Sequence, residues 1–63
     1  MTRKDYVLIA DSIKGAINYE AILNDNKEKA EALGFLAIRL SSAFELDNPR
    51  FDRDRFLVAC GVN

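Results

Sequence analysis

The residues best placed to do chemistry are Arg50, Asp52, Arg53, Asp54 and Arg55, set around Phe51 and Phe56 in the stretch NPRFDRDRF. Three uses compete for such a set. Asp47, Asp52 and Asp54 are the ligand type of a hard cation. Arg50 and Arg53 stand among them, however, and the spacing lacks the glycine and terminal glutamate of a calcium loop, so no metal site is expected. Arginines are the residue type that grips phosphate. Here Arg50, Arg53 and Arg55 meet Asp47, Asp52 and Asp54, so the local charge cancels where a phosphate-binding arm carries a clear excess. The third use is structural. With Asp52 as the N-cap of a helix, Phe51 falls at N′ and Phe56 at N4, the two positions of a hydrophobic staple. The stretch therefore reads first as a helix start, and whether its outward arginines also touch a partner is left open by the sequence.

The rest of the chain narrows the chemistry further. It has no histidine, which removes the Ser-His-Asp and Cys-His pairs, a histidine general base and any His-containing metal site. The single cysteine, Cys60, cannot make a zinc site, a CxxC redox pair or an internal disulfide, and it falls on an apolar face as a small core residue. No phosphate loop or GxGxxG is present. The expectation is a protein that is not an enzyme and carries no cofactor. Nine Lys and Arg against ten Asp and Glu give a formal charge of −1, so no long-range field draws nucleic acid or an anionic membrane. No apolar run approaches the ~20 residues of a membrane span. The start MTRKDYVLIADSIKG is interrupted by Asp11 and Lys14 where a signal peptide is unbroken, and a mature cytoplasmic chain is expected.

These residues must be positioned by a 63-residue chain, close to the lower limit for a single self-sufficient core. Periodicity predicts an all-α domain of three helices, over about 3–17, 26–46 and 53–60, with a long central helix and a short C-terminal one. In the first, Thr2 caps and Asp5 completes a capping box. Tyr6, Ile9, Ala10, Ile13, Ala16 and Ile17 share one face, with Val7 and Leu8 outside it. Gly15 weakens the last turn by up to about 1 kcal/mol relative to alanine, and fraying is expected from there. Residues 18–25 read as a short connection whose Ile22 and Leu23 fold back on the core. Asn24 or Asp25 is expected to cap the second helix.

The core stripe of the second helix is Ala30, Leu33, Ala37, Leu40 and Phe44, widened by Leu36, with Phe35, Ile38 and Leu46 well around the cylinder from it. A line of small residues, Ala30, Gly34, Ala37 and Ser41, lies between the two surfaces. It suits either the close approach of another helix or, at Gly34, room for Tyr6 or Phe51 within the monomer. Pro49 ends the helix before Asn48. In the third helix Phe56, Leu57, Ala59 and Cys60 are expected to pack inward, with Gly61 at C′.

The start MTRKDYVLIADSIK and the end NPRFDRDRFLVACG resemble a group of very small proteins encoded by tailed bacteriophages and prophages. The resemblance covers residues 1 to 14 and 48 to 61 and supplies no active site. It implies the cytoplasm of a phage-infected bacterium and a small accessory protein that occupies the surface of a host or phage protein.

Two functional expectations follow from residues and resemblance together. The first is a non-enzymatic protein-binding module, a homodimer or higher homo-oligomer, that uses Gly34, Phe35, Ile38 and Ser41 on the second helix. Its warrant is apolar area that so short a chain cannot hide. The second is a small nucleic-acid-associated regulator using Arg3, Lys4, Arg50, Arg53 and Arg55, provided the fold brings both ends together. A weaker variant is an oligomer that binds a small anionic ligand.

Overall fold

A computed structural model describes residues 1–62. It is all-α: α1 spans Arg3–Asn18, a π-helical turn spans Tyr19–Leu23, α2 spans Lys27–Asp47 and α3 spans Arg53–Ala59. Each helix boundary lies within one residue of the one that periodicity predicts.

The caps explain where the elements begin. The Thr2 hydroxyl accepts from the Asp5 N–H at 3.4 Å, and the Thr2 N–H donates back to the Asp5 carboxylate at 2.9 Å, which completes the capping box. Helix α1 continues without a break through Gly15, where an added β-carbon would meet nothing within 4 Å. The chain then widens into the π turn. Asn24 donates its N–H to the Tyr19 carbonyl and its side-chain amide to Glu20, and Asp25 takes a left-handed φ of 47° that reverses the direction. With Asn24 and Asp25 so engaged, Asn26 caps α2 instead of either, its side chain accepting from the Lys29 N–H at 3.0 Å.

The turn also corrects the expectation for Ile22 and Leu23, which are exposed instead of folded back. The reason is length. Helix α3, with seven residues, is about 10 Å long beside about 31 Å for α2, and it packs on α1 and α2 without reaching the turn.

At the other end, the Phe51 N–H closes a turn on the Asn48 carbonyl at 2.8 Å, after Pro49 has stopped α2. Asp52 caps α3 by accepting from the Arg55 N–H at 3.0 Å, and the Phe51 and Phe56 rings meet at 5.5 Å, which is the staple. The helix ends in a Schellman motif. Gly61, at φ 79°, donates to Val58, and Val62 donates to Leu57.

The core is Ala10, Ile13, Ala37, Phe51, Phe56 and Cys60, with Tyr6, Phe44 and Leu57 among the half-buried residues around it. Tyr6, Phe44, Phe51 and Phe56 form one aromatic cluster, with contacting centroids 4.6 to 5.6 Å apart. Leu36, expected inside, is exposed because α1 and α3 between them cover only part of the circumference of α2, and Ala59, also expected inside, is exposed because it lines an open groove between α3 and the start of α1.

Candidate functional site

Two surfaces carry the residues that the sequence singles out. The first is α2. Its small-residue line faces inward, toward α3 and the C-terminal residues. Ala37 and Ser41 are fully buried, and the Ser41 hydroxyl donates to the Ile38 carbonyl at 2.6 Å while accepting from the Arg53 Nε–H at 3.1 Å. Ser41 therefore leaves the proposed interface. A hydroxyl held between a helix carbonyl and a guanidinium fastens α3 to α2 within the monomer, and no buried side-chain nitrogen or oxygen lacks a partner among the described residues.

Gly34 is half-buried, and a β-carbon built there would lie 3.7 Å from Val62, an ordinary contact. Its neighbour is thus the C-terminal valine, in place of the expected Tyr6 or Phe51, and the packing leaves room for a methyl group. What stays on the surface of α2 is Phe35 at 66% exposure, Leu36 at 48%, Ile38 at 36% and Leu46 at 87%, of which Phe35, Ile38 and Leu46 share one side. Glu31 and Arg39 stand one turn to either side of Phe35 on the same face, and Ser42 continues that face toward Leu46. Sequence reasoning had placed Leu46 off the core stripe without assigning it to the interface, although its spacing from Ser42 and Ile38 carried the signal.

The second surface is a groove of about 410 Å³ at the seam of α1, the 48–52 turn and α3. Arg3, Arg50 and Arg55 line it, with Tyr6, Phe51 and Phe56 among its apolar walls. The fold thus brings the two chain ends together, but only three of the five expected cations share the groove. Lys4 is exposed outside its lining, and Arg53 turns to Ser41. The contribution of α1 was legible in principle, since Arg3, Tyr6, Val7 and Ala10 fall at helical spacing on one face. That this face would meet Arg50 and Arg55 was not.

Neither surface carries a catalytic constellation. Among the described residues no group of three or more His, Cys, Asp or Glu side chains is placed to hold a metal ion, and no helix is long and apolar enough to cross a membrane. Cys60 is fully buried, and burial pushes its thiol above the ordinary value, which keeps it protonated and unreactive. Asp5 is shifted the other way. The Thr2 backbone N–H, and then the Thr2 hydroxyl, hold its carboxyl below the usual carboxylate range. This is the signature of a cap, not of an acid–base catalyst. Searches against family models, curated proteins and solved structures return no match to the chain.

Proposed function

We propose that the chain is a non-enzymatic protein-binding module whose partner is a second copy of itself, joined through the outer face of α2. The observation that carries this reading is the exposure of Phe35, Ile38 and Leu46 along one side of a single helix. A chain of this mass folded as a compact monomer exposes about 4,100 Å², whereas this one exposes 4751 Å². The surplus of roughly 650 Å² belongs to the elongated body as a whole, 36 × 18 × 15 Å in extent, and the outer face of α2 is one part of it.

Charge favours a second copy over an unrelated partner. An antiparallel pairing of two α2 helices about an axis at Phe35 sets Glu31 of each copy opposite Arg39 of the other, so the face is complementary to itself. The same register brings Leu46 level with the start of α2 in the second copy, beside the turn that carries exposed Ile22 and Leu23. The resemblance of the chain ends to small phage-encoded proteins supports the same class of function, a short accessory protein that works by contact.

A charge-reversal cycle tests the pairing by light scattering. Glu31→Arg alone and Arg39→Glu alone are each expected to reduce the dimer fraction, and the double reversal to restore it. A dimer that is indifferent to all three changes overturns this register. A parent chain that stays monomeric up to near-millimolar concentration overturns the self-association.

A further inference from the structure

We infer that the groove between α1 and α3 binds a small anionic molecule, one that carries a phosphate or carboxylate on a flat, largely apolar body. This inference does not depend on the dimer. The groove lies on α1, the 48–52 turn and α3, whereas the proposed pairing uses α2.

Charge is the first argument. The chain as a whole is slightly acidic, at −1, yet three of its arginines line this one groove with a single aspartate among them. That aspartate, Asp52, already accepts the Arg55 backbone N–H as the cap of α3. The local excess is therefore positive on a negative molecule, and it is assembled by folding Arg3 against Arg50 and Arg55, which follow it 47 and 52 positions later in the chain. In the linear sequence Asp47, Asp52 and Asp54 cancel the arginines. In the fold Asp47 and Asp54 lie outside the groove lining while Arg3 joins it.

Function of the guanidinium is the second argument. Among the described residues Arg53 spends its Nε–H on Ser41, whereas the side chains of Arg3, Arg50 and Arg55 enter no hydrogen bond. Guanidinium forks of this kind match the two oxygens of a carboxylate or the edge of a phosphate in bidentate pairs.

Shape and lining supply the rest. A volume of about 410 Å³ lies in the range of small-molecule sites. Met1, Tyr6, Val7, Ala10, Phe56 and Ala59 provide an apolar wall for the body of a ligand whose charged end meets the arginines. The same dimensions argue against a nucleic-acid strand. Strand-binding grooves track a backbone over about 4 or more nucleotides with cations along the way. Here Lys4 and Arg53 stand apart from the three clustered arginines, so there is one concave spot and no track.

The test is a backbone-amide NMR titration of the full chain with adenosine 5′-monophosphate for the phosphate arm and N-acetyl-tryptophan for the carboxylate arm. Their neutral counterparts, adenosine and N-acetyl-tryptophan amide, serve as controls, together with inorganic phosphate. At least one of the two anions is expected to move the Val7, Ala10, Asn48 and Ala59 amides saturably by the low-millimolar range. Its neutral counterpart, and phosphate alone, should bind at least about tenfold more weakly, as loss of a charge-assisted contact or of the apolar body requires. The arm that saturates identifies the source of the oxyanion. Arg3→Gln and Arg55→Gln, both at exposed positions, should each weaken that binding about tenfold, and Ala59→Phe should block it by filling the groove. The inference is overturned if neither anion saturates, if the neutral counterparts bind equally well, or if the arginine and Ala59 variants bind like the parent. Binding of a single-stranded oligonucleotide far more tightly than the mononucleotide would replace the small ligand with a nucleic acid and overturn it as well.

Discussion

Replacing Phe56 by alanine probes the join on which the whole fold turns. The ring is 4% exposed and touches Phe44 edge-on at 5.6 Å and Phe51 at 5.5 Å, so its removal opens a hole lined by rings that cannot all collapse inward. Buried Phe→Ala changes cost about 3–5 kcal/mol. A chain of 63 residues has a total stability of roughly 3–9 kcal/mol at ordinary values per residue, so the variant loses a third of it at best and all of it at worst. Phe51→Ala should behave alike, because that ring is held among Tyr6, Phe44 and Phe56. The assay is urea unfolding followed by far-ultraviolet circular dichroism at one fixed protein concentration, since the proposed self-association would make stability concentration-dependent. Phe35→Ala at high dilution is the control. An exposed side chain that touches no core group should change the monomer by no more than about 0.5 kcal/mol. If Phe51→Ala and Phe56→Ala both lose less than about 1 kcal/mol, the staple and the aromatic cluster are not what joins α3 to α1 and α2.

Three further outcomes are expected. Gly15→Ala should stabilise the chain by about 0.5–1 kcal/mol in thermal melts, because the site is helical with nothing within 4 Å of an added β-carbon; destabilisation would mean that the site is not an open helical one. The depressed Asp5 carboxyl stabilises the folded chain above the ordinary carboxylate pKa, and that contribution is lost as pH falls through the lower folded value. Protection of the amides at the start of α1, taken as exchange relative to an unstructured peptide at the same pH, should therefore fall below about pH 4 in the parent, with Asp5→Asn removing that component, and protection that does not change with pH in the parent would contradict the capping box. Cys60 should react with a thiol reagent in the native chain only at the rate of unfolding and react freely in urea; rapid native labelling would contradict its burial.

Much of this architecture is written locally. Thr2 with Asp5, Asp52 with Phe51 and Phe56, Pro49 and Gly61 each act through neighbours a few residues away, so caps, staple and helix ends can be read from spacing alone. What escapes such reading depends on which element lies over which. Ser41 and Gly34 belong to a small-residue line that fits two helices of one chain as well as two chains, and only the position of α3 decides that Arg53 and Val62 occupy it. Ile22 and Leu23 look like core residues until the brevity of α3 leaves them uncovered. The cap of α2 shifts by one residue because Asn24 and Asp25 are committed to the π turn, which apolar periodicity does not reveal. The groove is the largest such case, since the charge balance of residues 47–55 hides an excess that appears only when Arg3 is folded against Arg50 and Arg55.

The proposed self-association through α2 is tested most directly by sedimentation equilibrium of the parent chain and Phe35→Glu, from low micromolar to near-millimolar concentration. The parent is expected to approach twice its 7.1 kDa mass as concentration rises, and Phe35→Glu to remain at 7.1 kDa with unchanged helicity. A parent mass of 7.1 kDa throughout, or a dimer that Phe35→Glu leaves intact, contradicts the proposed role of this face.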